Sequence, residues 1–212
     1  KDGFYGTYYE NPRGSDCTMI GLFGDDPGFE QGKKDGCGEW PIPNASTLSW
    51  KGEPLPYMPF VYQHPEYWKK VQEETKGSGD FMRTTCLFID SEKDREHPEE
   101  EMIKVENING KLFLIGADDD SFWEAGKYVR RMDKRLKERP HKCDYVALAY
   151  EHGTHFVLPE SLLRGALPVG LKFVLRFIFR AAKEYPNECE QTRKDIDNRL
   201  SAALKEWISD GR

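Results

Sequence analysis

The chain has 212 residues and a net charge of −6 at pH 7, with 38% hydrophobic and 32% charged residues. That length suits one well-buried domain and gives no reason to expect two, and the composition is that of a globular rather than a disordered protein. The acidic balance lacks the basic surplus of a nucleic-acid binder, and no run of about 18 apolar residues exists to span a membrane.

The sequence opens on Lys1 rather than Met and shows no signal peptide, so it is read as lacking its true N-terminus. Five cysteines (Cys17, Cys37, Cys86, Cys143 and Cys189) stand far apart, odd in number and without a C-x-x-C pair. They read as free thiols in a reducing cytoplasm, with no metal or cofactor expected. Residues 4–9 alternate aromatic and small side chains as an exposed strand does. Residues 17–23 (CTMIGLF) form a buried strand closed by Gly24, Asp25, Asp26 and Pro27. Residues 28–59 are rich in Gly and Pro and show no helix or strand period, an unusually long excursion for a compact domain. Residues 40–105 are read as a lid or excursion, whose aromatic stretch 50–68 would line a pocket or simply pack.

Regular order then returns. Residues 65–75 read as a helix with Pro65 in its first turn, and Pro98 followed by Glu99–Glu101 marks another start. Residues 111–116 (KLFLIG) are a near-continuous apolar strand, the kind buried on both faces of a parallel sheet. Ser121 and Glu124 form a capping box that opens a helix running to about Glu138. A second strand follows at 143–150 (CDYVALAY), then the turn EHGTH. Two helices close the chain. The first, 169–183, places Lys172, Arg176 and Arg180 in a basic stripe. The last, about 188–210, sets Ile196, Leu200, Leu204, Trp207 and Ile208 on one face.

This βαβ rhythm predicts an α/β fold with a mostly parallel sheet flanked by helices in a single domain over 1–212. Such sheets do their chemistry in loops at the carboxyl ends of the strands. Asp118, Asp119 and Asp120 follow one strand, and His155 follows the next. A carboxylate that fixes the tautomer of a histidine makes it a general base. Three consecutive aspartates also suit a helix N-terminus, where the macrodipole favours acids, and a histidine in a turn can simply bond to backbone. His152 reads as a loop residue.

The segments KLFLIGADDDSFWEAGKYVRRMDKRL and YEHGTHFVLPE resemble the C-terminal domain shared by acyl-CoA thioester hydrolases and bile-acid-CoA:amino-acid N-acyltransferases, a branch of the α/β-hydrolases. KDGFYGTYYENP, KDGCGEWP and HPEYWKKV look like bacterial members of that family. Gly116, Asp119, Trp123 and His155 match the family's strand-end glycine, acid, tryptophan and histidine. The resemblance favours Asp119 over Asp120 as the acid; the sequence alone leaves the two open. It implies a small acyl thioester or ester as substrate, cleaved by hydrolysis or passed to an amine. One oxyanion donor would come from the Gly24–Asp25–Asp26 loop.

The nucleophile that should precede the acid is missing. No G-x-S-x-G or G-x-C-x-G elbow lies before Asp119, and Cys86 lacks flanking glycines. The direct passage from strand 17–23 into Gly28 places a junction near 27/28, where roughly 90 residues of strand–helix units are absent. Two outcomes stand open. Either the working protein holds that segment and is a hydrolase, or the chain is a non-catalytic remnant whose exposed apolar surface favours homo-oligomers.

Overall fold

The structure, a computed structural model, describes residues 49–50, 53–54, 56, 65–93, 96, 99–166 and 170–209. The expected strands at 4–9 and 17–23, the Gly24–Asp26 loop, the 27/28 junction and most of the 50–68 stretch lie outside the described residues.

Two short strands, β1 (Ser49–Trp50) and β2 (Glu53–Pro54), pair antiparallel. Helix α1 (Pro65–Thr75) begins at the proline whose fixed φ suits a first helical turn. Helix α2 (Thr85–Glu92) and short 3₁₀ turns at Glu99–Glu101 and Val105–Asn107 lead into β3 (Lys111–Ala117). Helix α3 (Ala125–Glu138) crosses over to β4 (Asp144–Tyr150). Helices α4 (Glu160–Ala166), α5 (Leu171–Ile178), α6 (Arg180–Glu184) and α7 (Pro186–Ser209) follow.

β3 and β4 are parallel neighbours, in register from Lys111 opposite Asp144 to Ala117 opposite Tyr150, as the apolar runs predict. Among the described residues this two-stranded unit is the only parallel pairing. The alternation of β3 decides its inner face. Leu112 and Leu114 are fully buried against Tyr128, Val129, Met132 and Leu136 of α3 and against Cys86, Leu87 and Phe88 of α2. The apolar positions of α3 recur at helical spacing, so one stripe meets the sheet. Gly116 lets α3 start close to the strand: a Cβ there would stand 2.7 Å from the Ala125 backbone carbonyl. Phe113 and Ile115 on the other face of β3 are only half-buried, so the burial on both faces expected of residues 111–116 does not hold, and most side chains of β4 are half-buried too. Helix α7 is tied to both ends of the strand pair, by Lys111 to Glu206 at one and by the Tyr150 hydroxyl donating to Asp195 (2.7 Å) at the other. A second apolar cluster joins α4, α5 and α6 through Leu163, Leu171, Leu175, Phe179 and Ala182.

Three local expectations are corrected. The capping box does not form, and α3 begins at Ala125 rather than near Ser121. The carboxylate of Asp120 takes the amides of Phe122 (2.8 Å) and Trp123 (3.4 Å), which holds 121–123 in a turn. The Ser121 hydroxyl is left buried without a hydrogen-bond partner among the described residues, and Glu124 pairs with Lys127.

The helix expected over 169–183 is split by extended Phe179. Asp80 accepts the amide of Arg180 at 2.9 Å and starts α6 as a separate helix, so Lys172, Arg176 and Arg180 are not one stripe. Lys172 is paired with Glu190 at 2.6 Å.

The last helix buries Ile196 of the expected face but turns Leu204 and Ile208 of that face outward. Cys189, Thr192, Arg193 and Ala203 also face inward. The reason is polar: Arg193 Nε donates to Glu160 Oε2 at 2.7 Å, both side chains being nearly excluded from solvent. Without Arg193 the buried Glu160 keeps only the half-exposed Arg164 (2.8 Å), so Arg193→Ala should cost about 3 kcal/mol of folding stability. Urea unfolding checks this, and a loss smaller than about 1 kcal/mol, as for an exposed pair, would show that the pair is not the anchor of α7.

Candidate active site

β3 and β4 end side by side, and the Asp118 amide donates to the Tyr150 carbonyl at 2.8 Å to extend their ladder by one step. The three aspartates and the turn 151–155 therefore leave the sheet at the same edge. Each aspartate has its own partner. Asp118 forms a two-pronged ion pair with Arg130 of α3 at the surface. Asp119 Oδ1 accepts the amides of Gly153 (3.0 Å) and Thr154 (2.7 Å), and its Oδ2 lies 3.2 Å from His152 Nδ1. Asp120 Oδ2 lies 3.1 Å from His155 Nδ1.

The expected contact of Asp119 with His155 is thus corrected to Asp120 with His155. Both oxygens of Asp119 are already engaged by residues 152–154, and buried Thr154 has left-handed backbone (φ 63°), which carries His155 past Asp119. A β-branched residue in that region costs about 1–3 kcal/mol and persists only where its surroundings over-determine it. His152, read as a loop residue, is bonded to Asp119 and stacks on Tyr185, with ring centroids 3.8 Å apart.

Asp120 is itself held rigidly. Its side chain is 1% exposed, and Oδ1 is fixed by the two amides of its own turn. An ionised carboxylate only accepts hydrogen bonds, so the proton between Asp120 and His155 belongs on Nδ1, and the lone pair is left on Nε2. The imidazole lies among aromatic rings, with centroids 4.4 Å from Phe122, 4.3 Å from Trp123 and 5.7 Å from Phe156. Trp123 is therefore a wall of the histidine pocket. A polar cleft of about 310 Å³ is lined by the three aspartates together with Asp80, Arg83, Glu151 and Arg180.

The cysteines within the described residues are enclosed thiols. Cys86, Cys143 and Cys189 are buried; burial pushes the Cys86 thiol up to about 11 and that of Cys189 up to about 12, and raises that of Cys143. Since the thiolate is the reactive form, native protein at pH 8 should take up iodoacetamide at these three sites far more slowly than unfolded protein does. Peptide mapping would read this, and rapid native labelling of Cys86 would contradict it. Cys17, Cys37 and the Gly24–Asp26 loop lie outside the described residues. Those residues show no group of three His, Cys, Asp or Glu side chains able to hold a metal, and no helix long and apolar enough to cross a membrane.

A parallel strand pair whose carboxyl ends carry a buried aspartate bonded to a histidine is an α/β-hydrolase-like arrangement. The chain belongs to the family described as BAAT / acyl-CoA thioester hydrolase C terminal, which matches residues 55–160, half of its length. That span contains α1 to β4, the three aspartates and both histidines of the turn. No curated protein and no solved structure gives a significant match.

Proposed function

We propose that the protein hydrolyses an acyl thioester, acyl-CoA being the substrate that the family suggests, with His155 as general base and Asp120 as its orienting acid. The observation that carries this reading is the 3.1 Å bond from a nearly solvent-free carboxylate to His155, at the carboxyl edge of parallel strands. In this mechanism a serine or cysteine attacks the thioester carbonyl while Nε2 of His155 removes its proton. The tetrahedral adduct collapses by breaking the carbon–sulfur bond, and the imidazolium returns the proton to the departing thiolate. Water then repeats the sequence and releases the acid; an amine in place of water would make the protein an acyltransferase. Asp120 keeps the imidazole in the correct tautomer and stabilises the cation formed in each half.

The attacking residue and its elbow belong, in this proposal, to a segment between Pro27 and Gly28. Gly24, Asp25 and Asp26 supply one oxyanion donor. The rings of Phe122, Trp123 and Phe156 suit an acyl chain. Five carboxylates (Asp80, Asp118, Asp119, Asp120 and Glu151) outnumber the two arginines, Arg83 and Arg180, in the wall of the cleft, so the coenzyme's phosphates are expected away from it. The test is release of free thiol from acyl-CoA by protein expressed from its intact gene. Saturable release supports the reading. No release across short and long acyl chains would hand the chain to the non-catalytic alternative.

A further inference from the structure

We infer that Asp119 is a positioning residue: its carboxylate occupies an anion-binding nest formed by the turn that presents His155, and so fixes where the histidine stands. The inference rests on His155 being the base proposed above. Successive backbone amides that point the same way make a concavity for a negative group, and a left-handed residue is one way to build it. Here the amides of Gly153 and Thr154 converge on the single oxygen Asp119 Oδ1, at 3.0 and 2.7 Å, and Thr154 has φ 63°. The anion that fills the nest comes from the neighbouring strand's loop, so β3 is joined directly to the turn after β4.

The rest of the turn is fastened in the same sense. Thr192 of α7 donates its hydroxyl to the His152 carbonyl at 2.5 Å, and the His152 ring lies flat on Tyr185. Gly153 has no spare room, since a Cβ there would stand 2.6 Å from Val157 and 3.0 Å from Ala117. The hydroxyl of Thr154 accepts the amide of Phe156 at 3.1 Å, directly beyond His155. With its neighbours on both sides held, His155 reaches Asp120 without searching for it. Asp119 and Asp120 thus divide the work: one holds the backbone, the other holds the ring.

Amide hydrogen exchange with residue resolution, measured together with thioester turnover, tests this on the intact protein. Asp119→Ala empties the nest and should speed exchange at Gly153 and Thr154 about tenfold or more. Misplacement of His155 should then lower kcat by about 10²-fold while KM changes little. Asp119→Asn keeps one carbonyl oxygen for the two amides, so it should preserve their protection and recover most of kcat, even if the alanine variant folds poorly. Unchanged exchange in Asp119→Ala would overturn the inference. So would Asp119→Asn losing activity as severely as Asp120→Asn with both amides still protected, because Asp119 would then be the acid itself. The expected exchange pattern in a protein that turns over no thioester leaves the clamp standing and refutes the proposed reaction instead.

Discussion

His155→Ala is expected to lower kcat/KM for thioester cleavage by about 10⁴–10⁶-fold, the range seen when the base of a catalytic triad is removed. The loss should appear in kcat, because the imidazole acts on the proton that moves in the transition state and contributes little to holding the acyl group. Some stability should be lost as well, because the 1%-exposed Asp120 carboxylate keeps only the amides of Phe122 and Trp123 and the rings around His155 lose a neighbour. Far-UV circular dichroism and the urea midpoint separate this outcome from unfolding. His152→Ala supplies the contrast. His152 faces Asp119 and Tyr185, so its loss should act through the turn and fall well short of the His155 effect.

Asp120→Asn should cost about 10⁴-fold in kcat, although the change is nearly isosteric. An amide at that position can offer its N–H₂ to Nδ1 and so stabilise the other tautomer, with the proton on Nε2 where the base needs a lone pair. The two turn amides at Phe122 and Trp123 can still be accepted by the remaining carbonyl oxygen, so the loop should hold. Asp119→Asn should lose far less, for the reason that its oxygen bonds backbone. Comparable losses in the two variants would mean that the aspartates share one task, contrary to the separate partners seen for each.

The strand pair was legible because its signal is local and strong. Residues 111–116 and 143–150 are apolar runs of strand length separated by a helix-length segment, and the structure sets them parallel and in register. The same rhythm puts Asp118, Asp119, Asp120 and His155 at one edge of the sheet. It did not say which aspartate meets which histidine, because that depends on the direction the chain takes after leaving the sheet. A left-handed threonine decides the matter, and neither Thr154 nor its neighbours advertise that conformation as a glycine would. Family spacing pointed to Asp119 for the same reason that three adjacent aspartates are interchangeable on paper.

The helices show a second limit. A capping box at Ser121 and Glu124 is a sound local signal, but Asp120 captures the amides that the cap would have used. Helix α7 has its leucines at helical spacing, yet buries Thr192 and Arg193 instead. A buried ion pair with Glu160 and a bond to the His152 carbonyl outweigh the burial of Leu204 and Ile208. Long-range polar partners of this kind leave no periodicity in the sequence.

Mass spectrometry of protein from the intact gene, digested with trypsin after brief exposure to acyl-CoA, would locate the nucleophile. One acyl group is expected on a serine or cysteine, in a tryptic peptide whose sequence is inserted between Pro27 and Gly28. An uninterrupted tryptic peptide spanning residues 14–33, with no acyl adduct anywhere in the digest, would contradict that expectation.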